Sequence, residues 1–389
     1  MKVYGRAAVS EFIGDFIVYR NLEPADGRLS GLHTIHGEVG LRAGRVPRKS
    51  EPEYAWVIAH LLRQARALEP PAPPIERLIY VGDTRLLDGT AFANLSQAGA
   101  WPGLAFIGAE TRAPARFETA PVPPPPLDST GPVGATRPLL FLANRWTALP
   151  DFDRFCTERG LPIDRHAAVV IDLDKTALGA RGRNGHVIDE ARVLAVHHTV
   201  ADLLGGAFDP LAFRSTYDQL NQPEFHAFTA DNQDYLAYVC LIVCSGLYQR
   251  EQVVSEVRAG RLQTFAQFIA QVDQRTNELK PALRAIHMDI YANVRAGDPT
   301  PFKRFRYNEY RTTVARMGHL SDDAPVEQLL ANEIVITEEV RAQALEWRAR
   351  GALLFGLSDK PDEASMPPPA LATQGWQAIH RVETHAVGE

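Results

Sequence analysis

Alternating blocks of apolar and polar positions predict a chain built from buried strands and amphipathic helices. Short apolar runs, typical of strands buried on both faces, occur at Arg77–Val81, Gly103–Gly108, Leu139–Leu142, Ala167–Ile171 and Ala352–Phe355. Apolar residues recur at helical spacing in Tyr54–Leu68, Gly89–Ala98, Asp151–Arg159 and Glu338–Arg350. Strands that alternate with helices predict an α/β fold class with a Rossmann-like parallel sheet at its core.

The segment between residues 189 and 330 has a different pattern. Helical periodicity dominates it, and strand-like runs nearly vanish. We therefore predict an inserted all-α domain at 189–330, with the α/β core formed by residues 1–188 and 331–389. The proline-rich stretch 112–138 predicts a linker or surface loop rather than core, and the tail from Ser365 is also rich in proline.

Composition narrows the functional classes. The chain has 389 residues and a formal net charge of −6, which argues against a general nucleic-acid-binding protein. Its three cysteines are too few for a disulfide framework. It has no signal-peptide pattern and no apolar run near the roughly 20 residues of a membrane span, so we expect a soluble, cytoplasmic protein without a membrane partner. The sequence does not indicate an oligomeric state.

Candidate chemistry begins at the end of the apolar run Ala167–Ile171. Asp172 and Asp174 follow this run, and the carboxyl ends of strands are where open α/β sheets bind ligands. Two neighbouring carboxylates repel each other unless a cation or a shared proton holds them. Mg²⁺ suits such a place because it prefers carboxylate oxygens and keeps water and phosphate as its other ligands. The alternative is a strand that simply ends in polar residues.

Two further strand ends carry similar groups. Gly82-Asp83 ends the first apolar run, with Asp88 five residues beyond Asp83, and Ser358 follows the last run. Because parallel strands bring their carboxyl ends to one edge of a sheet, we expect these side chains to gather there.

Together these motifs resemble those of the haloacid-dehalogenase-like superfamily of aspartyl-phosphate enzymes. Its first motif, a hydrophobic strand followed by D-x-D-x-T, is matched by Asp172-Leu-Asp-Lys-Thr176, its second by Ser358, and its fourth, G-D-x-x-x-x-D, by Gly82-Asp83 to Asp88. Family members carry the motifs in the order first to fourth, whereas here the fourth precedes the first. The resemblance therefore implies a circularly permuted chain, in which Lys49 is the lysine of the third motif.

A rival assignment takes Thr337 as the second-motif residue and Lys360 as the lysine, and it needs the same permuted order. The resemblance covers residues 45–110, 165–180 and 333–363. Its first and fourth motifs are fairly specific, whereas its second and third are weak.

The resemblance implies Mg²⁺-dependent hydrolysis of a small phosphorylated metabolite through an aspartyl-phosphate. Asp172 would be the nucleophile, and Asp174 would protonate the leaving alkoxide and then activate water. The metal would be held by Asp172, Asp83 and Asp174, the last through its backbone carbonyl, while Asp88 would position the lysine or a metal-bound water. Phosphoryl oxygens would be held by Lys49, Ser358 and Thr176.

The same resemblance implies that the helical insert is a cap, which would close over the site and select the substrate. Its basic and aromatic stretch Phe302–Tyr307 contains Arg306, for which two interpretations stay open: contact with a second anionic group of the substrate, or a helix face with solvated charges.

Two other functions also stay open, namely an inactive scaffold that binds a phosphorylated ligand, and a phosphotransferase with an acceptor other than water. The presence of both Asp172 and Asp174 favours an enzyme over a scaffold, because binding alone does not need a general acid.

Overall fold

The computed structural model describes residues 1–42, 44–69, 73–123 and 138–389. Its strands are β1 Lys2–Ala7, β2 Ile17–Val18, β3 Arg77–Gly82, β4 Gly103–Gly108, β5 Phe117–Pro121, β6 Leu139–Ala143, β7 Ala167–Asp172, β8 Ile336–Thr337, β9 Leu353–Leu357 and β10 Thr384–Gly388. Its α-helices are α1 Val9–Phe12, α2 Leu32–Ile35, α3 Pro52–Ala67, α4 Leu87–Gly99, α5 Leu149–Glu158, α6 Gly185–Leu204, α7 Pro210–Leu220, α8 His226–Thr229, α9 Gln233–Cys244, α10 Arg250–Arg258, α11 Phe265–Gln274, α12 Pro281–Arg295, α13 Lys303–Val314, α14 Val326–Asn332, α15 Glu338–Ala349 and α16 Pro369–Ala372.

Seven of these strands form one sheet in the order β2-β9-β7-β3-β4-β6-β5. Only β5 runs antiparallel to its neighbour among these described strands, and the other adjacent pairs run parallel. The predicted α/β fold class with a Rossmann-like parallel sheet is therefore confirmed. β7 is buried along its whole length between β9 and β3, which explains why the sequence there is continuously apolar.

Helices cover both faces of this sheet. α3 and α4 pack on the face that carries Leu78 and Tyr80 of β3, in one continuous apolar cluster. Side chains alternate between the two faces along a strand, and Phe106 of β4 points to the opposite face, where its ring lies 5.6 Å from that of Phe152 on α5. The helices predicted before and between the strands are thus present, with ends shifted by a few residues.

The proline-rich stretch 112–138 is not entirely a loop. Residues Phe117–Pro121 form β5, an exposed edge strand, and Phe117 stacks on Phe141 of β6 with ring centroids 4.4 Å apart. An edge strand tolerates proline because one row of its backbone groups has no ladder partner. The part of the stretch at 124–137 lies outside the described residues.

A second sheet has three strands in the order β1-β10-β8 and was not predicted. Its central strand, β10, is buried throughout, although it ends a tail whose composition indicates no core element. β10 pairs antiparallel with β1 and parallel with β8. Local patterning cannot reveal such a strand, because its stability comes from partners that are distant in sequence.

The chain forms two compact units. The core unit contains residues 1–189, 313–365 and 375–389, and the helical unit contains residues 190–312 and 366–374. The helical unit ends earlier than the predicted boundary at 330, because Arg6 of β1 donates hydrogen bonds to the carbonyls of Gly318 and Leu320 and so fastens this segment to the core unit. No helix among the described residues is long and apolar enough to span a membrane.

Candidate functional site

Three strand ends of the seven-stranded sheet meet at one edge. Asp172 is the last residue of β7, Asp83 directly follows β3, and Ser358 directly follows β9. β3 and β9 are the two neighbours of β7 and run parallel to it, so the three carboxyl ends lie side by side. The chain leaves β3 towards β4 on one side of the sheet, and it leaves β7 towards β9 on the other side. The switch point of the sheet therefore lies between β3 and β7. Such a switch point is where open α/β sheets bind ligands.

Lys49, which lies just before α3, reaches into this edge. Its Nζ donates to Asp172 over 2.5 Å and to Asp88 over 2.6 Å, and the residue is only 2% exposed. Burial lowers the pKa of Lys49, but Asp172 and Asp88 outweigh that effect and hold it above its usual range. Lys49 is therefore a buried ammonium group that joins two of the carboxylates expected from the sequence.

Asp88 accepts hydrogen bonds on both carboxylate oxygens. One oxygen accepts from Lys49 and from the hydroxyl of Tyr80, and the other accepts from the backbone amides of Asp83 and Thr84 and from the Thr84 hydroxyl. Burial opposes ionisation, but Lys49 and the Thr84 donors lower the pKa of Asp88. Its carboxylate is thus occupied in holding Lys49 and the loop after β3.

Two backbone features shape the edge. Gly82 lacks a side chain where the carboxyl group of Asp88 packs, since an added Cβ would lie 2.6 Å from Asp88 Cγ. Lys175 has a φ of 63°, a left-handed conformation that turns the chain sharply after β7. The turn brings the Thr176 hydroxyl to 3.1 Å from Asp172, to which it donates. Thr176 is fully buried, so in this structure it orients Asp172.

Asp174 and Ser358 form a second contact across the strand ends. The Ser358 hydroxyl donates to the Asp174 carboxylate over 3.3 Å and accepts from the amide of Lys360. In contrast, Thr337 lies in the three-stranded sheet, and its hydroxyl donates to the carbonyl of Thr176. These contacts favour Ser358 over Thr337, and the contacts of Lys49 with Asp172 and Asp88 favour Lys49 as a lysine of the site.

Asp83, Asp88 and Asp172 form an acidic triad, in which one oxygen of each lies within 4.8 Å of the others. Among the described residues, this triad is the group whose geometry could hold a metal ion. The carboxylate of Asp174 is not part of it, so the expectation of Asp174 as a ligand is limited to its backbone carbonyl. The Asp83 carboxylate also accepts a hydrogen bond of 2.8 Å from Arg181, on the loop after β7.

The electrostatics of the triad favour a bound cation. Burial and the charge of Asp88 raise the pKa of Asp83 to about 6 against the opposing effect of Arg181. Burial also raises the pKa of Asp172; Lys49 opposes this rise, and the charges of Asp88 and Asp83 add to it. A divalent cation would remove the repulsion that these two carboxylates experience.

Tyr54 adds an unsatisfied hydroxyl group near this edge. It lies in the first turn of α3, is 2% exposed, and its hydroxyl has no hydrogen-bond partner among the described residues. Burial raises its pKa, and the charges of Lys49 and Asp172 also act on it, so the hydroxyl lies within their electrostatic field. A buried hydroxyl without a partner is costly and calls for an explanation such as a bound ligand.

Arg306 does not fit the substrate contact considered for it. It lies in the helical unit, is 6% exposed, and its guanidinium group donates to Asp234 and Glu309, both of which are fully buried. Arg192 also donates to Glu309. The sequence suggested either a ligand-binding or a solvated arginine, whereas the structure shows a buried ionic network, because amphipathic spacing does not reveal which polar residues of a helix lie on its buried face.

Sequence reasoning also missed side chains that support the site. Tyr80 has the position of an ordinary apolar strand residue, and Arg181 and Tyr54 carry no local motif. Thr84 carries a local signal, because threonine side chains bond to nearby backbone groups at turns, and its hydroxyl accepts from the amide of Asp88.

Comparison with protein-family models, with curated proteins and with solved structures found no match for this chain. What the fold and the site define is a class: an α/β protein with a buried lysine and an acidic triad at the switch point of a parallel sheet.

Proposed function

We propose that the protein is a metal-dependent phosphomonoester hydrolase of the haloacid-dehalogenase-like type, acting through an aspartyl-phosphate on a small phosphorylated metabolite. The observation that carries this proposal is the pairing of the buried Lys49 with Asp172, beside Asp83 and at the end of the central strand. Phosphoryl transfer needs a nucleophile, cations around the phosphoryl oxygens and an acid for the leaving group. The edge offers residues for each of these roles.

The strand order supports the circular permutation. The strands that end in the first, second and fourth motifs are β7, β9 and β3, and they are direct neighbours in the sheet. Lys49 comes from a segment that precedes the fourth motif in sequence, yet it contacts Asp172 of the first. Three of the assigned motifs therefore lie at neighbouring strand ends, and the lysine assigned to the other contacts one of them, which supports a rotated motif order.

In the first chemical step, an oxygen of Asp172 forms a bond to phosphorus while the bond between phosphorus and the alcohol oxygen breaks. Asp174 donates its proton to the departing alkoxide, and the Ser358 hydroxyl, 3.3 Å from the Asp174 carboxylate, helps to orient it. In the second step, Asp174 takes a proton from water, the water oxygen attacks phosphorus, and the bond to Asp172 breaks, releasing inorganic phosphate. Lys49 stabilises charge on the phosphoryl oxygens throughout.

The donor set fits Mg²⁺, which prefers carboxylate oxygen ligands. Asp172, Asp83 and the Asp174 carbonyl are the candidate ligands, because both oxygens of Asp88 already accept several hydrogen bonds. When bound, the ion would neutralise the charge that otherwise keeps an anionic ester away from an anionic nucleophile.

The deciding experiment measures release of inorganic phosphate from p-nitrophenyl phosphate and from a panel of phosphorylated metabolites, with Mg²⁺ and with EDTA. We expect turnover only with the metal, and a loss of at least about 10³-fold in Asp172→Asn, which removes the nucleophile. Asp164→Asn is the matched control, because Asp164 pairs with Arg77 at the opposite edge of the same strands.

Turnover that persists undiminished in Asp172→Asn would refute the mechanism. Binding of phosphorylated compounds without any turnover would instead identify a scaffold. Consumption of substrate without phosphate release would identify a phosphotransferase.

A further inference from the structure

A cavity of about 380 Å³ opens beside the acidic triad, at the carboxyl ends of β3, β4 and β6. Asp83 lies in its wall, and an oxygen of Asp83 lies within 4.8 Å of an oxygen of Asp172. The floor is largely apolar, with Ile107 and Leu142 among its residues. Its volume falls within the range of small-molecule sites. The cavity therefore adjoins a carboxylate that lies beside the candidate nucleophile.

Three arginines from three separate segments line this cavity, namely Arg85 after β3, Arg116 before β5 and Arg181 after β7. Arg181 forms an ion pair with Asp83. Among the described residues, the guanidinium groups of Arg85 and Arg116 have no carboxylate partner. With Glu118 included, three guanidinium groups face two carboxylates. The cavity thus carries excess positive charge next to a site that has excess negative charge.

The backbones of two of these arginines are held in place. The amide of Arg116 donates to the Asn144 side chain over 2.7 Å, and the Arg116 carbonyl accepts from the Asn144 amide. The amide of Arg181 donates to the carbonyl of Lys175, and its carbonyl accepts from the amide of Glu110. Both side chains therefore start from backbone positions that the strand ends fix, as a preformed binding site requires.

We propose that this cavity binds a second anionic group of the substrate, so that the preferred substrates are phosphomonoesters that also carry a carboxylate or a second phosphate on a short spacer. This inference rests on the proposed function, because it uses the same nucleophile. Guanidinium groups bind carboxylate and phosphate through paired, charge-assisted hydrogen bonds, and Arg85 and Arg116 have donors to spare for them. The apolar floor would contact the carbon skeleton between the two anions.

The test uses calorimetric titration of full-length Asp172→Asn protein with Mg²⁺ present, so that no turnover occurs. Two matched pairs of compounds distinguish the chemistry: 3-phosphoglycerate against glycerol 3-phosphate for a carboxylate, and fructose 1,6-bisphosphate against fructose 6-phosphate for a second phosphate. We expect the second anion to strengthen binding at least about tenfold in one pair, which corresponds to about 1.4 kcal/mol. Adding Arg85→Gln and Arg116→Gln should reduce this preference to less than about threefold.

Arg112→Gln is the matched control, since Arg112 is an exposed arginine of the same loop region that does not line the cavity. Equal affinity within both pairs, or a preference that survives in the double variant, would overturn the proposal. A preference lost equally in Arg112→Gln would also overturn it, because nonspecific charge would then explain the binding. Phosphate release by the native chain is measured separately, so a failure of the proposed function is distinguishable from a failure of this inference.

Discussion

Two ionic networks in this protein are both built around a buried cation, but they differ in the groups that they leave unsatisfied. The sheet-edge network consists of the buried Lys49, the acidic triad Asp83, Asp88 and Asp172, and the exposed Arg181, which donates to Asp83. The helical network consists of Arg306, Arg192, Asp234 and Glu309. In each, a buried cation donates to two carboxylates over 2.5 to 2.7 Å.

The difference lies in what each network leaves unsatisfied. In the helical network, Arg306 donates to the carboxylates of Asp234 and Glu309, Arg192 also donates to Glu309, and Asp234 also accepts from the amide of Phe302. The sheet-edge network has two cations against three carboxylates, with the unpaired hydroxyl of Tyr54 nearby. Burial and ion pairing are thus shared by a structural cluster and a candidate site, so neither identifies function. Surplus negative charge and an unpaired hydroxyl in the same place favour a ligand site, because a ligand could relieve both.

The largest effect should follow from Lys49→Met, which removes the cation from the sheet-edge network. We expect kcat/KM for p-nitrophenyl phosphate to fall by about 10³-fold, because a fixed cation near the transferring phosphoryl group is lost. Steady-state kinetics with saturating Mg²⁺ measures this. Full activity in Lys49→Met would contradict a functional role for the sheet-edge network, because both networks would then be structural.

The matched change in the helical network, Arg306→Met, should act on stability instead. It leaves the buried carboxylates of Asp234 and Glu309 without the guanidinium group that joins them, so the free energy of unfolding should fall by about 3–5 kcal/mol. Urea unfolding followed by circular dichroism measures it, with a separate transition for the helical unit if the two units unfold independently. A loss below about 1 kcal/mol would show that the network is more hydrated than its burial indicates.

One substitution made in both networks should change stability in opposite directions. Asp234→Asn should cost about 2 kcal/mol, because it weakens the buried hydrogen bonds that Asp234 accepts from Arg306 and from the amide of Phe302. Asp172→Asn should leave stability unchanged or raise it by about 1 kcal/mol in EDTA, because it removes surplus negative charge. Thermal unfolding of both variants measures whether each substitution lowers or raises the stability. Equal destabilisation by the two changes would mean that the triad is charge-balanced in the free protein.

The pH dependence of stability tests whether Asp172 contributes surplus negative charge. The pKa of Asp172 is raised in the folded state, so the folded chain binds more protons than the unfolded chain above about pH 4, and this contribution to stability falls as pH rises. The advantage of Asp172→Asn over the native chain should therefore grow from about pH 4 towards neutrality in EDTA, and it should shrink when Mg²⁺ is added. Denaturant titrations at several pH values measure the difference. A stability difference between Asp172→Asn and the native chain that does not change with pH would contradict a raised pKa for Asp172.

The predictability of the two networks differs for a physical reason. Asp172, Asp83 and Ser358 could be predicted to meet because strand ends are recognisable locally and parallel pairing dictates where they go. The parallel sheet followed from the same patterns. Arg306 could not be placed, because its partner Asp234 lies on another helix and burial there depends on how helices pack. The same limit hid β10, the arginine-lined cavity and Tyr54, which exist only through contacts between distant segments.

The smallest expected effect separates two tyrosines at the sheet edge. Tyr80→Phe should lower the free energy of unfolding by about 1 kcal/mol, because the Tyr80 hydroxyl donates to Asp88 over 3.1 Å. Tyr54→Phe should instead leave stability unchanged or raise it by up to about 1 kcal/mol, because it removes a buried hydroxyl that has no partner. If a bound phosphoryl group accepts from that hydroxyl, Tyr54→Phe should also weaken inhibition by inorganic phosphate by about three- to tenfold. Destabilisation by Tyr54→Phe with unchanged inhibition would mean that a structural partner, not a ligand, satisfies this hydroxyl.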